Sequence, residues 1–183
     1  MALEKPAYQV LEKEGRFELR LYDPYITSNV KIKADNYREA ASRGFSPLAN
    51  YIFGGNRARD KISMTVPVTA EPTGEKIAMT TPVAISGSGE YTVSFLIPKK
   101  YSMETLPIPL NEKVTFEEHP QRKVAAVRFS GYFQQPNFEK HIRTLRDWIE
   151  RKGLQEKGEP VVAGYNPPIT PWFLKHNEVL IEV

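Results

Sequence analysis

The sequence predicts an α+β fold, namely a distorted and curved antiparallel β-barrel or sheet with two helices packed against it. Most of the chain alternates apolar and polar residues at the two-residue period of strands, and two segments show the helical period instead. The order of strands, one helix and two strands occurs twice, which indicates two pseudo-symmetric β-α-β-β-like halves. Because two helices cannot cover both faces of about ten strands, we expect one large curved sheet. Residues 1–183 are expected to form a single domain, with halves at about 8–85 and 90–183.

Composition excludes several kinds of site and partner. The chain has no cysteine, which rules out a disulfide framework, a thiolate zinc site and a cysteine nucleophile. The net charge of +3 is spread without a basic cluster, so no nucleic-acid partner is expected. No apolar run approaches the ~20 residues of a membrane span, and the first ten residues do not resemble a secretory signal. We therefore expect a cytoplasmic protein, with a monomer favoured.

Three strands are predicted before the first helix. Residues 8–13 and Phe17–Tyr22 flank a Glu-Gly pair, which is a hairpin signal, and a third strand is expected over 26–33. Positions 17, 19 and 21 are apolar and alternate with polar ones, so one face of the second strand is predicted to be buried.

The first helix begins after Asn36, with Glu39 three residues later in a capping-box arrangement. Pro47 lies inside it and predicts either a kink near Arg43 or a restart with Ser46 as the cap. A Gly-Gly pair is expected to end the helix. Four apolar residues at i, i+4, i+7 and i+11 form its predicted buried stripe, namely Ala41, Phe45, Leu48 and Ile52.

A repeated motif follows the first helix. The segment K-I-S-M-T-V-P-V at 61–68 recurs as K-I-A-M-T-T-P-V at 76–83, and both copies are predicted to be strands. Pro67 and Pro82 cannot donate to a ladder, so each is expected at an edge, a bulge or a strand end. Met64 and Met79 are soft potential iron ligands, although core or groove lining is favoured at matching positions of a repeat.

The second half repeats this order. Strands are predicted over 91–97, 114–118, 124–129, 161–165 and 178–183. A helix is predicted over 137–152, and Gly153 is expected at its C-terminal stop. Its predicted buried stripe has the spacing of the first helix and consists of Phe138, Ile142, Leu145 and Ile149.

Residues able to carry chemistry are few. No pair among His119, His141 and His176 has ligand spacing, and a partly buried or surface role is favoured for each over zinc or haem-iron ligation. Glu117 and Glu118 are adjacent on a strand and face opposite ways, so they do not form an acid–base pair. The segment 54–59, with two glycines and two arginines, fits either an anion cradle or, preferably, a helix stop followed by a loop.

Large apolar residues also collect at the ends of elements. Tyr51 and Phe53 lie at the end of the first helix, and Trp172, Phe173 and Leu174 lie in a proline-punctuated loop. Such residues either cap the core or line a binding groove, and the pattern does not decide between the two.

Several motifs together resemble the SOUL/haem-binding protein family. They are F-E-L-R-L-Y (17–22), G-F-S-P-L-A-N-Y-I-F-G (44–54), the two K-I-x-M-T-x-P-V copies, V-S-F-L-I-P (93–98), A-G-Y-N-P-P (163–168) and N-E-V-L-I-E-V (177–183). They occur in order over about residues 8–183. The resemblance implies a distorted antiparallel barrel with two helices, related in fold to the effector-binding domains of bacterial regulators. It also implies non-covalent binding of haem or another tetrapyrrole in a shallow apolar groove beside the first helix, without an established reaction.

The family pattern transfers to this chain only in part. Apolar groove positions match Phe45 and Ala49, and the basic positions that hold haem propionates in relatives match Ser42, Asn50 and Thr170, none of which is basic. A proposed axial histidine matches Leu21, so that ligand is absent. Arg43, Lys175 or His176 are possible substitutes for the basic residues, and His176 is the weak candidate for an axial ligand. The full candidate site for the ligand is Ser42, Arg43, Phe45, Ala49, Asn50, Phe53, Trp172, Phe173 and Lys175.

Three functions are consistent with these observations. The favoured one is a non-catalytic protein that binds haem or a porphyrin. The second is an effector-binding module for another amphipathic small molecule, suggested by the missing basic residues. The third is an enzyme, for which the sequence offers no catalytic constellation.

Overall fold

The structure is a computed structural model that describes residues 3–57 and 74–183. Its strands are β1 (Tyr8–Glu14), β2 (Phe17–Tyr22), β3 (Tyr25–Lys33), β4 (Asn56–Arg57), β5 (Val83–Ser88), β6 (Glu90–Leu96), β7 (Ile108–Pro109), β8 (Thr115–His119), β9 (Arg122–Phe129), β10 (Val161–Gly164) and β11 (Asn177–Glu182). Its helices are α1 (Tyr37–Ile52) and α2 (Gln135–Arg151), and a short 3-10 turn covers Trp172–Leu174. Neither α-helix in these ranges is long and apolar enough to cross a membrane. The predicted α+β class is confirmed.

Nine strands form one antiparallel sheet in the order β1-β2-β9-β11-β10-β5-β6-β3-β8, and β4 pairs separately with β7. Outward from the central β5–β10 pair, both sides show the same arrangement. On one side α1 packs on β5, β6 and β3, and on the other α2 packs on β11 and β9, which follow β10 in the sheet. However, β2 pairs with β9 and β8 pairs with β3, so the strand before each set joins the opposite set. The division of the chain at about residues 85–90 stays a prediction.

The sheet curls strongly enough for distant strands to touch. β3 and β9 are five places apart in the sheet, yet the Arg122 guanidinium donates a hydrogen bond to the Tyr25 hydroxyl. This contact lies on the face opposite the helices, which is therefore the concave inner face of a half-barrel. Both helices pack on the convex outer face.

A transverse row of fully buried residues on the convex face joins the two sides of the sheet. Neighbouring strands place Val93, Ile85, Val162, Val179 and Val127 opposite one another. None is more than 1% exposed, so this row forms the centre of the hydrophobic core beneath the helices.

The N-terminus of α1 is as predicted, because the Asn36 side chain accepts a hydrogen bond from the backbone N–H of Glu39. The helix continues through Pro47 and does not restart at Ser46. The predicted buried stripe is wrong at Phe45, whose side chain is 41% exposed. The face that packs on the sheet is instead Tyr37, Ala40, Gly44, Leu48, Tyr51 and Ile52.

Gly44 explains this rotation of the helix. A Cβ atom at Gly44 would lie 2.5 Å from a methyl group of Val93, so the helix backbone rests directly on β6. Because a residue without a side chain makes the closest contact, an apolar periodicity cannot reveal it.

The second helix agrees with its prediction. All four residues of the predicted stripe are buried, and Gly153 follows the helix with a φ of 66°. The other predicted strands correspond to eight in the structure and have ends within two residues of them, namely β1, β2, β3, β6, β8, β9, β10 and β11. The strands β4, β5 and β7 were not predicted with these bounds.

The second copy of the repeated motif, 76–83, was predicted to be a strand, but only its last residue, Val83, belongs to one. Its first copy, 61–68, lies outside the described residues. In its second copy the Ile77 N–H donates to the Ile52 carbonyl at 2.7 Å, and the Thr81 N–H donates to the Glu4 carbonyl at 3.0 Å. The segment 76–82 is therefore bonded to different elements in turn, and the ladder begins only at Val83. Pro82 directly precedes β5, as expected for a proline at a strand end.

Candidate ligand-binding faces of the sheet

The predicted site residues on α1 and at its C-cap differ in exposure. Ser42, Arg43, Asn50, Phe45 and Phe53 are exposed, whereas Ala49 is buried in the core. The Phe45 ring stands edge-on to the ring of Phe95, with 5.3 Å between centroids. Arg43 is already engaged, since it forms an ion pair with Glu39 at 3.3 Å and donates to the Lys33 carbonyl.

The loop before β11 holds the other predicted site residues. Trp172 and Phe173 are 51% and 59% exposed, so these rings do not cap the core. Trp172 stacks on Tyr132 at 6.0 Å, and its carbonyl accepts from the Gly131 N–H at 2.9 Å. Thr170 and Lys175 flank these rings and are half-buried.

A second transverse row crosses the convex face between Phe45 and Phe133. Phe95, Val83 and Gly164 are partners on β6, β5 and β10. Phe45 contacts Phe95 at one end, and a Cβ at Gly164 would meet the Phe133 ring at 3.2 Å at the other. Half-buried Val83 lies between them, about 5 Å from each neighbouring strand. We call the surface between Phe45 and Phe133, with Val83 as its floor, the helix-face trough.

None of the three histidines points into this trough. His176 lies on the concave face, where its ring stacks on Tyr165 at 4.2 Å and its Nε2 donates to Glu178 at 2.9 Å. His119 is also on that face and hydrogen bonds to Thr27 at 3.0 Å.

His141 lies on α2, and both of its ring nitrogens are occupied. Nδ1 donates to the Asn137 carbonyl at 2.7 Å, and Nε2 accepts from Arg16 at 3.3 Å. Burial lowers the pKa of His141, in agreement with a neutral ring in this arrangement.

The concave face carries a buried polar network that the sequence pattern did not predict. Arg20 donates two hydrogen bonds to the Glu178 carboxylate, each at 2.8 Å, and a third to the Tyr22 hydroxyl at 3.0 Å. Glu178 also accepts from Tyr165 and His176. Burial raises the pKa of Glu178, but the hydrogen bonds from Arg20, His176 and Tyr165 outweigh it and lower the pKa to about 2. The signal that was available is Arg20, a cation in the middle of an otherwise well-patterned strand.

A cavity of about 330 Å³ lies beside this network on the concave face. Its polar lining includes three tyrosines and two short hydroxyl side chains, namely Tyr22, Tyr25, Tyr165, Thr27 and Ser94. His119, Arg122, Glu117, Glu159 and Glu182 add the ionisable groups. Pockets of this size hold small organic molecules.

A wider and more open hollow of about 830 Å³ lies between α2, the β5–β6 turn and residues 156–160. Its charged groups are paired in part, because Arg146 holds the Glu156 carboxylate with contacts down to 2.8 Å. Within the two described ranges, no group of three or more histidine, aspartate or glutamate side chains is placed to hold a metal ion.

A curled nine-stranded antiparallel sheet with two helices on its outer face and a polar cavity on its inner face defines an α+β half-barrel domain. The chain belongs to the SOUL heme-binding protein family, whose model matches residues 3–182. The resemblance inferred from the motifs is therefore confirmed.

Two curated relatives extend over nearly the whole chain. It is 26% identical to heme-binding protein 2 of Homo sapiens, in a match that covers 97% of this chain and 88% of the relative. It is also 26% identical to heme-binding protein 1 of Mus musculus, with 97% and 92% covered.

Solved structures share the fold at low identity. The C-terminal domain of EcmrR superposes with a TM-score of 0.64 at 10% identity, with 96% of each chain covered. A hydrolase from Listeria innocua superposes with a TM-score of 0.58 at 9% identity, with 93% of each covered. At these identities the likeness concerns the fold alone.

Proposed function

We propose that this protein binds haem or a related tetrapyrrole in the helix-face trough and does not transform it. The observation that carries the proposal is the pair of aromatic walls, Phe45 and Phe133, on either side of the half-buried Val83. Membership of the family and the names of the two relatives support the same class of ligand.

The shape and polarity of the trough suit a flat apolar ligand. Phe45 on one side and Trp172 beyond the other are both about half exposed, so a macrocycle lying across Val83 would cover apolar surface now in contact with water. Such burial contributes roughly 25 cal/mol per Å². Aromatic side chains add stacking or edge contacts of about 0.5–1.5 kcal/mol per pair.

Two of the predicted site residues, Arg43 and Lys175, carry a positive charge that could pair with the propionates. Lys175 follows the Trp172 turn and is the nearest cation in sequence to its aromatic rings. Arg43 would have to leave Glu39 before it could bind a carboxylate, and Ser42, Asn50 and Thr170 offer hydrogen bonds without charge. Since a charged hydrogen bond is about twice as strong as a neutral one, we expect the macrocycle to supply most of the affinity.

The iron of haem has no protein ligand in this proposal. All three histidines of the chain have partners elsewhere, and Leu21 stands at the candidate axial position. Bound haem would therefore contact the protein through its apolar macrocycle and its two carboxylates.

Binding without catalysis is supported by the hydrogen bonds that already engage Glu178 and His119. Glu178 accepts four hydrogen bonds in a closed network, and the His119 ring is bonded to Thr27. A general acid or base must reach a substrate proton, and neither group faces the helix-face trough.

Titration of the purified protein with hemin tests this proposal, followed by the Soret band and by tryptophan quenching. We expect saturable binding at low micromolar concentration and at least tenfold weaker binding for Phe45→Ala, since Phe→Ala truncations at buried contacts cost up to several kcal/mol. Leu11→Ala is the matched control, because Leu11 is equally exposed but lies on β1 at the far edge of the sheet. Absence of saturation, or equal losses in both variants, would overturn the proposal.

A further inference from the structure

We propose that the cavity on the concave face is a second ligand site, which takes a small amphipathic amine and is independent of the helix-face trough. The sheet itself separates the two sites, since the trough lies on its convex face and the cavity on its concave face. Two neighbours on β6 show the separation, because the Phe95 ring contacts Phe45 on the convex face and Leu96 lines the cavity on the concave face.

The walls of the cavity are of two kinds. Leu96, Val124 and Leu180 provide apolar surface, while Thr27 and Ser94 provide hydroxyl groups. A ligand with one apolar part and one polar end can satisfy both, which is the usual composition of small-molecule sites.

The charges around the cavity favour a cation. Arg122 is neutralised by Glu182, whose carboxylate lies 3.3 Å from it. His119 is held neutral, because burial and the neighbouring Arg122 both lower its pKa. Glu117 and Glu159 also line the cavity, and in the ranges 3–57 and 74–183 no lysine or arginine forms an ion pair with either. Glu117 accepts from the Asn29 amide at 3.3 Å and lies 3.9 Å from the His119 ring.

Among the lining residues these two carboxylates leave a net negative charge of two, and outside the lining the Lys5 ammonium lies 5.6 Å from the centroid of the Tyr165 ring. The Tyr22 and Tyr25 hydroxyls in the lining already accept from Arg20 and Arg122. The Tyr165 hydroxyl donates to Glu178, so its lone pairs can accept from an ammonium group. An amine gains charge-assisted hydrogen bonds in such a lining, whereas a carboxylate would meet like charges.

The N-terminal segment closes part of the cavity. The Glu4 carbonyl accepts from the Thr81 N–H and its carboxylate from the Lys99 N–H, while the Ala7 carbonyl accepts from Asp23. Between these anchors Pro6 lines the cavity. The anchored segment thus contributes Pro6 to the wall of the cavity.

The experiment uses three probes with the same phenylethyl group and different charge, namely 2-phenylethylamine, 2-phenylethanol and 3-phenylpropionate. Each is titrated into the ¹⁵N-labelled full chain at neutral pH and followed by amide chemical shifts. We expect saturable shifts for the amine at Thr27, Ser94 and Tyr165, and weaker or no binding of the alcohol and the acid. Equal or tighter binding of the acid, or shifts confined to the helix-face trough, would overturn the proposal, as would no binding of any probe.

A matched pair of variants tests the role of charge. Glu117→Gln should weaken amine binding about tenfold, in keeping with the loss of one charge-assisted hydrogen bond. Glu118→Gln removes the same charge from the next residue of β8, which faces the other side of the sheet, and should leave the affinity unchanged. Equal effects of the two variants would mean that the charge acts from a distance and that the cavity is not the site.

Hemin provides the test of independence. Glu117→Gln should bind hemin as the unaltered protein does, and Phe45→Ala should bind the amine as the unaltered protein does. Loss of amine binding in Phe45→Ala would contradict two separate sites, whereas failure of hemin to bind at all would remove only the tetrapyrrole proposal.

Discussion

Arg20 and Glu178 form an ion pair with two hydrogen bonds of 2.8 Å, and both side chains are almost completely buried. The two residues are 158 positions apart in the chain, on β2 and β11, which are separated in the sheet by β9. The pair therefore connects two non-adjacent strands across the concave face. Buried charges of this kind are retained only when their hydrogen bonds are satisfied, as they are here by Tyr165, His176, Tyr22 and Glu18.

Removal of one partner of this pair should be strongly destabilising. Arg20→Met leaves the Glu178 carboxylate buried without its main partner, and we expect a loss of about 3–5 kcal/mol in the free energy of unfolding. Urea denaturation measures the effect. The double variant Arg20→Met/Glu178→Leu should be more stable than Arg20→Met alone, because it buries no unpaired charge. If Arg20→Met lowered the free energy of unfolding by less than about 1 kcal/mol, the pair would contribute no more to stability than a surface ion pair.

The same carboxylate predicts a dependence of stability on pH. The folded-state pKa of Glu178 is lowered to about 2 from its ordinary value of 4.5, so its contribution is complete above about pH 4.5 and is lost as the pH falls towards 2. A shift of this size corresponds to about 3 kcal/mol. We expect Glu178→Gln to lose stability less steeply than the unaltered protein between pH 5 and pH 2. Parallel curves would show that Glu178 titrates normally in the folded state.

Gly44 should not tolerate even the smallest side chain. Alanine is favoured over glycine by about 1 kcal/mol inside a helix, yet its Cβ would lie 2.5 Å from a Val93 methyl group. Since overpacking typically costs 1–3 kcal/mol, Gly44→Ala should lower the melting temperature. Val93→Ala opens this space, so the double variant Gly44→Ala/Val93→Ala should be more stable than Val93→Ala alone. If Gly44→Ala raised the melting temperature, α1 would not rest on β6 as described.

Iron should contribute little to tetrapyrrole binding. Because His119, His141 and His176 are engaged outside the helix-face trough, hemin and iron-free protoporphyrin IX should have dissociation constants of the same order. Fluorescence quenching measures both under one set of conditions. A strong preference for hemin, with the absorption spectrum of imidazole-ligated iron, would show that a histidine leaves its partner to bind the metal.

Sequence periodicity predicted α2 more accurately than α1 for a physical reason. In α2 the stripe of Phe138, Ile142, Leu145 and Ile149 packs through its apolar side chains, so the pattern and the buried face coincide. In α1 the closest contact is made by Gly44, and Phe45 is left on the outer side. Hydrophobic spacing records large buried side chains and cannot record a close approach of the backbone.

Hydrophobic spacing also failed to show which faces of β2 are buried. The alternation predicts burial of the face that carries positions 17, 19 and 21, yet Arg20 and Tyr22 on the other face are each 3% exposed. In a half-barrel the polar face of a strand can be an interior face, provided that its charges find partners. Those partners, including Glu178, lie at the opposite end of the chain, so a local pattern cannot show them.

Binding of a tetrapyrrole in the helix-face trough can be located by the amide shifts that protoporphyrin IX produces in the ¹⁵N-labelled protein. We expect saturable shifts centred on Phe45, Val83 and Phe133, extending to Trp172. Saturable shifts centred instead on Thr27, Ser94 and Tyr165 of the concave face, or no saturable shift at all, would contradict it.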